Sequence, residues 1–240
     1  MKKIALIIAG GVGARTGQNI PKQFINVFDK PILIYTLEQF QKIKEITEIV
    51  VVCLDGWKEV LRSYAMQYGI SKLTQIVDGG GSAQESIFCG LKSLKERMEE
   101  DDIVIIHDGI RPMVSPEVVI SCIDTCIEKG NGITALPVYE QVFEANTEST
   151  SNKYIPREQL RILQTPQAYH FSEIFEIYES AFKSGIGIKG SSYANTLMTD
   201  FGKVLYFALG STKNIKITTA DDIAIFKAML SAEGENEKTR

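Results

Sequence analysis

Histidine and tryptophan are scarce in this sequence, and cysteine is sparse. The 240 residues include two His, one Trp and four Cys, and no C-x-x-C pair occurs. With His107 and His170 as its imidazoles, the chain lacks the side chains of a typical zinc centre. Cys122 and Cys126 lie four residues apart in a predicted helix, which is typical of small buried side chains rather than of metal or redox groups.

An excess of positive charge and long apolar runs are also missing. Lys and Arg number 26 against 30 Asp and Glu, so the net charge is -4. We expect no nucleic-acid partner, because such partners are held by many cations. No run approaches the roughly 18–20 apolar residues that span a bilayer, so we expect no membrane partner. The apolar start at residues 1–8 is too short for a signal peptide, which predicts a cytoplasmic protein.

Apolar segments alternate with helical patterns, in a chain with an ordinary 44% of hydrophobic and 23% of charged residues. Strands are predicted at 3–8, 46–54, 72–77, 102–106 and 132–138, and helices at 31–44, 57–68, 83–97 and 116–128, the last with Ser115 as N-cap. The alternation predicts one α/β domain over residues 1–240, with a mostly parallel sheet and helices on both faces. Ligands of such sheets bind at the carboxyl ends of the strands, which makes loops 9–23, 78–86 and 107–112 the candidate site.

The alternation stops at residues 139–165, which are polar in the middle and β-prone at both ends. A projecting β-hairpin arm is the favoured interpretation, and an unstructured surface loop is the alternative. Beyond it, the pattern predicts a helix at 171–183, strands at 204–208 and 214–217, and a closing helix at 219–231 that Thr219 caps.

A glycine-rich segment, AGGVGAR, follows the first strand at residues 9–15. Its glycines let the backbone approach a ligand and direct several N–H groups at one anion. The segment is neither a Walker A loop nor a regular G-x-G-x-x-G, and a tight strand–helix turn is the simpler alternative. Arg15 and Lys22, in and just after this loop, are the cations that a triphosphate requires.

Two further candidates lie near other strand ends. Asp108, in the segment HDGIRP, is suited to hold a hydrated Mg²⁺ with phosphate oxygens. The alternative is an ion pair with Arg111 that closes the loop. Lys216, in the segment NIKIT, is either a solvated side chain or a cation directed at the sheet end, and the residues alone favour neither.

Several motifs occur in a characteristic order along nearly the whole chain. They are AGGVGAR at 9–15, PKQF at 21–24, DGGGSAQES at 78–86, HDGIRP at 107–112, PREQL at 156–160, QTPQ at 164–167 and NIKITTADD at 214–222. Each is common by itself, but their order and spacing together resemble the nucleotidyltransferases that use CTP on polyol phosphates.

The resemblance implies a Rossmann-like nucleotidyltransferase fold and a homodimer that exchanges the arm. Ala9, Gly10, Gly11 and Gly13 match the loop that wraps CTP, and Gly80 and Ser86 match the surroundings of cytosine and ribose. Arg15 and Lys22 match residues that stabilise the triphosphate, Lys216 the second catalytic lysine, Asp108 the ligand of Mg²⁺ or another divalent cation, and Arg157 a residue that reaches the phosphate substrate of the partner subunit. The implied reaction is Mg²⁺-assisted in-line attack of a polyol phosphate on the α-phosphate of CTP, which gives a CDP-polyol and pyrophosphate.

Four positions depart from the family pattern. Ala83 stands where an Arg is usual, Gly109-Ile110 and Glu140-Gln141 replace other pairs, and Ser191–Ala194 replaces an acidic element. Details such as Gly10-Gly11, Gly56-Trp57 and Gln164 favour ribitol 5-phosphate as the substrate. The alternatives are 2-C-methyl-D-erythritol 4-phosphate, the substrate of isoprenoid synthesis, another alditol phosphate of surface glycans, and a non-catalytic nucleotide-binding relative. Trp57 itself is expected to be a packing residue.

Overall fold

The computed structural model describes residues 1–11, 20–188 and 193–238, without the side chains of 235–238. Its strands are β1 (Lys3–Ala9), β2 (Asn26–Val27), β3 (Lys30–Pro31), β4 (Glu48–Cys53), β5 (Leu73–Asp78), β6 (Ile103–Asp108), β7 (Asn131–Pro137), β8 (Val142–Glu144), β9 (Lys153–Ile155), β10 (Arg161–His170) and β11 (Phe207–Leu209). Its helices are α1 (Ile32–Lys42), α2 (Lys58–Gln67), α3 (Ala83–Leu94), α4 (Pro116–Lys129), α5 (Phe171–Ser184), α6 (Ala194–Asp200) and α7 (Ala220–Lys238), with short 3₁₀ helices at Lys22–Phe24 and Arg157–Gln159.

Seven of the strands form one sheet in the order β11-β7-β10-β6-β1-β4-β5. β1 pairs parallel with both β4 and β6, β4 with β5, and β7 with β11. β10 is antiparallel to both of its neighbours. The predicted Rossmann-like, mostly parallel α/β architecture is therefore confirmed.

The sheet is covered on both faces, which explains why its central strands are apolar without alternation. In β1, Ala5 and Ile7 face a core built with α1, α2 and α4, whereas Ile4 and Leu6 face a second core built with α3, α5 and α6. α3 lies very close to the sheet, because a Cβ built at Gly90 would be 2.6 Å from Leu6 Cδ1. This packing fixes the ends of β1 and β6 on which the candidate site lies.

The structure corrects the sequence-based expectations in several places. Strand β10 and helix α6 were not predicted, and residues 161–165, which the predicted arm included, belong to β10. The strand expected at 204–208 is shorter and lies at β11. Residues 214–217, expected to form a strand, instead form an unpaired extended segment in which Ile217 N–H donates to Ile110 C=O at 2.9 Å.

The arm contains the predicted hairpin. β8 and β9 pair antiparallel, with Phe143 opposite Tyr154. Both rings are exposed, by 55% and 68%, and Tyr139 at the base of the arm is exposed by 71%. Large exposed rings on a hairpin are typical of a contact surface.

Three smaller expectations concern packing and capping. Cys122 and Cys126 are free thiols in the core, and burial raises the pKa of each to about 12. Trp57 stacks on Phe24 with their ring centroids 4.6 Å apart, as a packing residue should. Thr219 Oγ1 accepts from Asp222 N–H at the start of α7, whereas the Ser115 side chain, at the N-cap position of α4, makes no capping hydrogen bond.

Across the described residues, no helix combines the length and apolarity needed to cross a bilayer.

Candidate functional site

A cavity of about 340 Å³ opens at the carboxyl ends of the central strands. It is lined by eight of the predicted site residues: Ala9, Gly10, Gly11, Lys22, Gly80, Ser86, Asp108 and Lys216. Arg15 and Gly13 lie outside the described residues. Residues that are far apart in the sequence therefore converge on one site, as expected for ligands of a parallel sheet.

The wall between β1 and α3 is built from glycines in close contact. Ser86 Oγ accepts from Gly80 N–H at 3.1 Å, and a Cβ built at Gly10 would lie 3.2 Å from that oxygen. A Cβ at Gly80 would be 2.3 Å from the Glu85 Cβ, which is a steric clash. Side chains at these glycines would fill or distort the wall, so its backbone is open to a flat ligand.

The turn into α3 is capped in both directions. Ser82 Oγ accepts from Glu85 N–H at 3.1 Å, and Glu85 Oε2 accepts from Gly81 N–H at 2.6 Å. This pattern is a variant of the capping box, in which Glu85 bonds to the N–H of Gly81 instead of that of the N-cap residue Ser82. It fixes the entry of the helix and leaves its positive end at the cavity.

Gln23 holds the base of the glycine-rich loop. Its side chain is buried, and Nε2 donates to Ala9 C=O at 2.7 Å and to Gly11 C=O at 3.1 Å. Both carbonyls stand where β1 ends and the loop begins. Sequence reasoning gave Gln23 no role, because neither its burial nor the carbonyls that it reaches are visible in the sequence.

Asp108 is the centre of the charged part of the site. Its Oδ2 lies 3.1 Å from Lys216 Nζ and 3.2 Å from Arg111 Nε. Burial alone would raise the pKa of this carboxyl, but the charges of Lys216 and Arg111 outweigh it and lower the pKa. Asp108 is therefore an ionised group that makes the predicted ion pair with Arg111 and also lines the cavity, whereas its role as a metal ligand stays a prediction.

Lys216 reaches the site from an extended segment that other polar side chains hold in place. Asn214 Nδ2 donates to Thr165 C=O at 2.7 Å, and Asn214 C=O accepts from Arg111 Nη1 at 2.7 Å. Gln164 Nε2 donates to Ser211 C=O at 3.1 Å. Of the two alternatives left open by the sequence, the structure supports a cation at the sheet end, with about a quarter of the Lys216 side chain exposed.

His107 lies below Asp108 but does not face the cavity. It is fully buried, its Nε2 is 3.2 Å from Arg111 C=O, and its ring packs on Phe40. Burial lowers the pKa of His107 to about 4, so the imidazole is neutral near pH 7 and Nε2–H donates to that carbonyl. The residue acts as a support for the HDGIRP turn.

The metal-binding side chain at the cavity is the carboxylate of Asp108, which suits Mg²⁺ better than a metal that needs several protein ligands. No cluster of three or more Asp, Glu, His or Cys occurs within residues 1–11, 20–188 and 193–238. Mg²⁺ does not need such a cluster, because it binds one or two carboxylates together with water and phosphate oxygens. Asp108, ionised and at the cavity wall, suits an ion that arrives with phosphates.

A second cavity of about 250 Å³ adjoins the first. The two share Ile8, Ala83, Asp108 and Lys216. Walls of the second cavity also come from Ile87, Ile106, Thr165, Gln167, Tyr193 and Ala194. Asp108 and Lys216 therefore stand at the boundary between two spaces.

Arg157 lines neither of these two cavities. It lies in the 3₁₀ helix that follows β9 in the arm, where Nη1 donates to Tyr139 C=O at 2.8 Å and Nε lies 3.5 Å from Glu158. It borders a separate groove beside the arm, together with Phe143 and Tyr154. Its side chain is more than half exposed.

Comparisons with known proteins agree with this geometry. A family model described as IspD, 2-C-methyl-D-erythritol 4-phosphate cytidylyltransferase, matches residues 3–232. A ribitol-5-phosphate cytidylyltransferase of Lacticaseibacillus paracasei is 49% identical over 94% of this chain and 97% of its own length. A 2-C-methyl-D-erythritol 4-phosphate cytidylyltransferase of Alkaliphilus metalliredigens is 32% identical over 99% of this chain and 96% of its own.

Solved structures give the same result at the level of the fold. The crystal structure of 4-diphosphocytidyl-2C-methyl-D-erythritol synthase from Anaerococcus prevotii superposes with a TM-score of 0.81. It is 25% identical, and the match covers 96% of this chain and 98% of that one. The chain belongs to the IspD family of cytidylyltransferases, which are nucleotidyltransferases.

Proposed function

We propose that the protein couples CTP to ribitol 5-phosphate, with release of pyrophosphate and formation of CDP-ribitol. The observation that carries the proposal is the convergence of Lys22, Asp108 and Lys216 on one cavity whose opposite wall is glycine backbone. A nucleoside triphosphate needs both parts, namely cations for its phosphates and an open backbone surface for its base and sugar.

The first cavity is the proposed CTP site. Its Gly80–Ser86 side takes the cytidine, and Lys22, with Arg15 from outside the described residues, takes the triphosphate. The positive end of α3 also faces this space, and helix N-termini favour phosphate groups. Asp108 would hold Mg²⁺ or another divalent cation, which when bound neutralises phosphate charge.

The second cavity is the proposed site of the acceptor. An acceptor phosphate there would meet Lys216 at the boundary, on the side of Lys216 away from the cytidine. Both reactants are anions, so their repulsion is a large part of the barrier, and fixed cations lower it. The phosphate monoester is already ionised near pH 7, so the reaction needs no general base, and the neutral, buried His107 is consistent with that.

Ribitol 5-phosphate is favoured as the acceptor by the relatives. The chain is 49% identical to a protein named for that substrate and 32% identical to one named for 2-C-methyl-D-erythritol 4-phosphate. The second compound remains a candidate, because the matching family model carries its name. CTP is an intracellular metabolite, so we infer a cytoplasmic site of action.

We further propose that the arm, now bounded at residues 139–160, makes a homodimer. The exposed rings of Tyr139, Phe143 and Tyr154 supply apolar area to bury against a second copy. Arg157, beside these rings and outside both cavities of its own subunit, would then reach the acceptor phosphate of the partner subunit.

The direct test is pyrophosphate release from CTP with a panel of acceptors. The panel contains ribitol 5-phosphate, 2-C-methyl-D-erythritol 4-phosphate and glycerol 3-phosphate, each with and without Mg²⁺. The proposal predicts that ribitol 5-phosphate gives the highest kcat/KM and that turnover requires a divalent ion. Binding of CTP without turnover of any acceptor would instead support a non-catalytic relative.

A further inference from the structure

One wall of the acceptor cavity consists of a residue that belongs to none of the recognised motifs. Tyr193 stands directly before α6, at the N-cap position of that helix. Its side chain is partly exposed, at 46%, and lines the second cavity. Its ring centroid lies 5.2 Å from Lys216 Nζ, which is within the range of a cation–π contact.

A buried hydrogen-bond chain fixes the backbone of Tyr193. Gln84, on the first turn of α3, is 2% exposed, and its Nε2 donates to Tyr193 C=O at 3.3 Å. Its Oε1 accepts from Tyr178 O–H on α5 at 2.6 Å. Because a carbonyl only accepts, the amide nitrogen must face Tyr193, and this leaves the amide oxygen for Tyr178.

The two ends of the chain support this orientation. Tyr178 is fully buried, and burial raises its pKa well above 10, so its hydroxyl stays protonated and donates. Tyr193 C=O also accepts from Thr196 Oγ1 at 2.8 Å and from Leu197 N–H at 3.3 Å. Helices α3 and α5 therefore hold the start of α6 at a set distance from Lys216.

We propose that Tyr193 is a specificity-determining residue for the acceptor and that Gln84 is the residue that positions it. The inference rests on the proposed function and deepens it. The ring narrows the cavity beside the cation that receives the acceptor phosphate, so it favours an unbranched alditol phosphate over one with a methyl branch. Its hydroxyl, both a donor and an acceptor, suits the hydroxyl groups of such a chain.

The test compares Tyr193→Ala and Tyr193→Phe with the wild type. Tyr193→Ala widens the cavity, so we expect a higher KM for ribitol 5-phosphate and an unchanged KM for CTP. The ratio of kcat/KM for the unbranched over the methyl-branched acceptor should fall by about tenfold or more, which is the scale on which apolar pockets discriminate one carbon. Tyr193→Phe keeps the ring and should keep most of this ratio.

Gln84→Leu tests the positioning role. It removes both hydrogen bonds with little change in volume, and we expect the acceptor KM to rise while the CTP KM does not. In the Tyr193→Ala background, the same substitution should have little further effect on the acceptor KM, because the ring that it positions is already gone. An equal effect of Gln84→Leu in both backgrounds would overturn the positioning role. Thermal unfolding and far-UV circular dichroism verify that each variant folds.

The outcomes separate this inference from the proposed function. If the wild type uses ribitol 5-phosphate and Tyr193→Ala leaves the acceptor KM and the ratio unchanged, the role of Tyr193 is refuted while the function stands. If the wild type prefers the methyl-branched acceptor, the proposed acceptor and the stated selectivity are both wrong. If the wild type turns over no polyol phosphate, the proposed function and the role of Tyr193 are both overturned.

Discussion

At the scale of single residues, the site depends on fixed charge at the boundary of two cavities. Lys216 Nζ is held between the carboxylate of Asp108 and the ring of Tyr193. A cation held in this way needs little reorganisation when charge develops on the reacting phosphate.

Removal of this cation should therefore slow the chemical step. We expect Lys216→Ala, and likewise Lys22→Ala, to lower kcat by roughly 10²–10³, on the scale of one lost oxyanion donor. Steady-state pyrophosphate release measures the effect. Lys203→Ala is the matched control, because Lys203 pairs with Glu173 on the surface and touches neither cavity. Near-normal kcat in a folded Lys216→Ala protein contradicts the catalytic role.

Thiol reactivity should follow burial. Burial raises the pKa of Cys53 to about 11 and those of Cys122 and Cys126 to about 12, whereas Cys89 is partly exposed. Since the thiolate is the reacting form, we expect rapid labelling of Cys89 alone at pH 8 and labelling of all four thiols in denaturant. Counting modified thiols by mass spectrometry tests this.

The control for this experiment is Cys89→Ser, which should abolish the rapid labelling. Rapid reaction of a second thiol in the native protein would mean that one of the core cysteines is accessible, contrary to its burial.

At the scale of elements, the entry into α3 is the part of the nucleotide wall with least room for change. We expect Gly80→Ala to raise the KM for CTP by about tenfold or more. One carbon that is misplaced in a binding pocket changes the affinity for a ligand on that scale. The cause is the clash of the new Cβ with Glu85, 2.3 Å away, which must displace the capping box.

Gly234→Ala is the control for this change. Among the described residues, no atom lies within 4 Å of a Cβ built at Gly234, and the residue is in α7, away from both cavities. It should leave the KM for CTP unchanged. If Gly80→Ala binds CTP normally as well, the glycine wall is not the nucleotide contact.

The elements show which kinds of pattern can be read from the sequence. β1, β4 and β6 are continuous apolar runs because both faces of the sheet are covered, and each was predicted within two residues at either end. The segment at 214–217 alternates polar and apolar residues, as a strand can, but it forms no strand. Its apolar residues pack with α7, and Asn214 C=O accepts from the side chains of Arg111 and Gln164, contacts that no local pattern contains.

The site residues likewise divide into those that a local sequence pattern reveals and those that only the folded structure reveals. Lys22 and Asp108 were predicted because each lies in a short motif after a strand, and Lys216 was predicted from the resemblance to the cytidylyltransferases. Gln23 and Gln84 were not, because their roles arise from bonds to residues up to 109 positions away. A buried amide has no sequence signature apart from the partner that satisfies it.

At the scale of the whole molecule, the described chain leaves Arg157 outside its own cavities, so one subunit alone is not expected to be fully active. If Arg157 acts on the acceptor of the partner subunit, the protein should be a dimer in solution. Arg157→Ala should then raise the acceptor KM, with little effect on the CTP KM. Sedimentation velocity gives the oligomeric state, and steady-state kinetics give the two constants.

The decisive experiment mixes two variants at an acceptor concentration far below the KM of Arg157→Ala, where each variant alone has little activity. In a heterodimer of Arg157→Ala and Lys216→Ala subunits, one site takes Lys216 from the first subunit and Arg157 from the second, so both groups are present. Random exchange makes half of the dimers mixed, and one site in each is complete, which predicts about a quarter of wild-type activity for a twofold dimer. If Arg157 instead serves its own subunit, mixing the two variants restores no activity, because no subunit carries both Arg157 and Lys216.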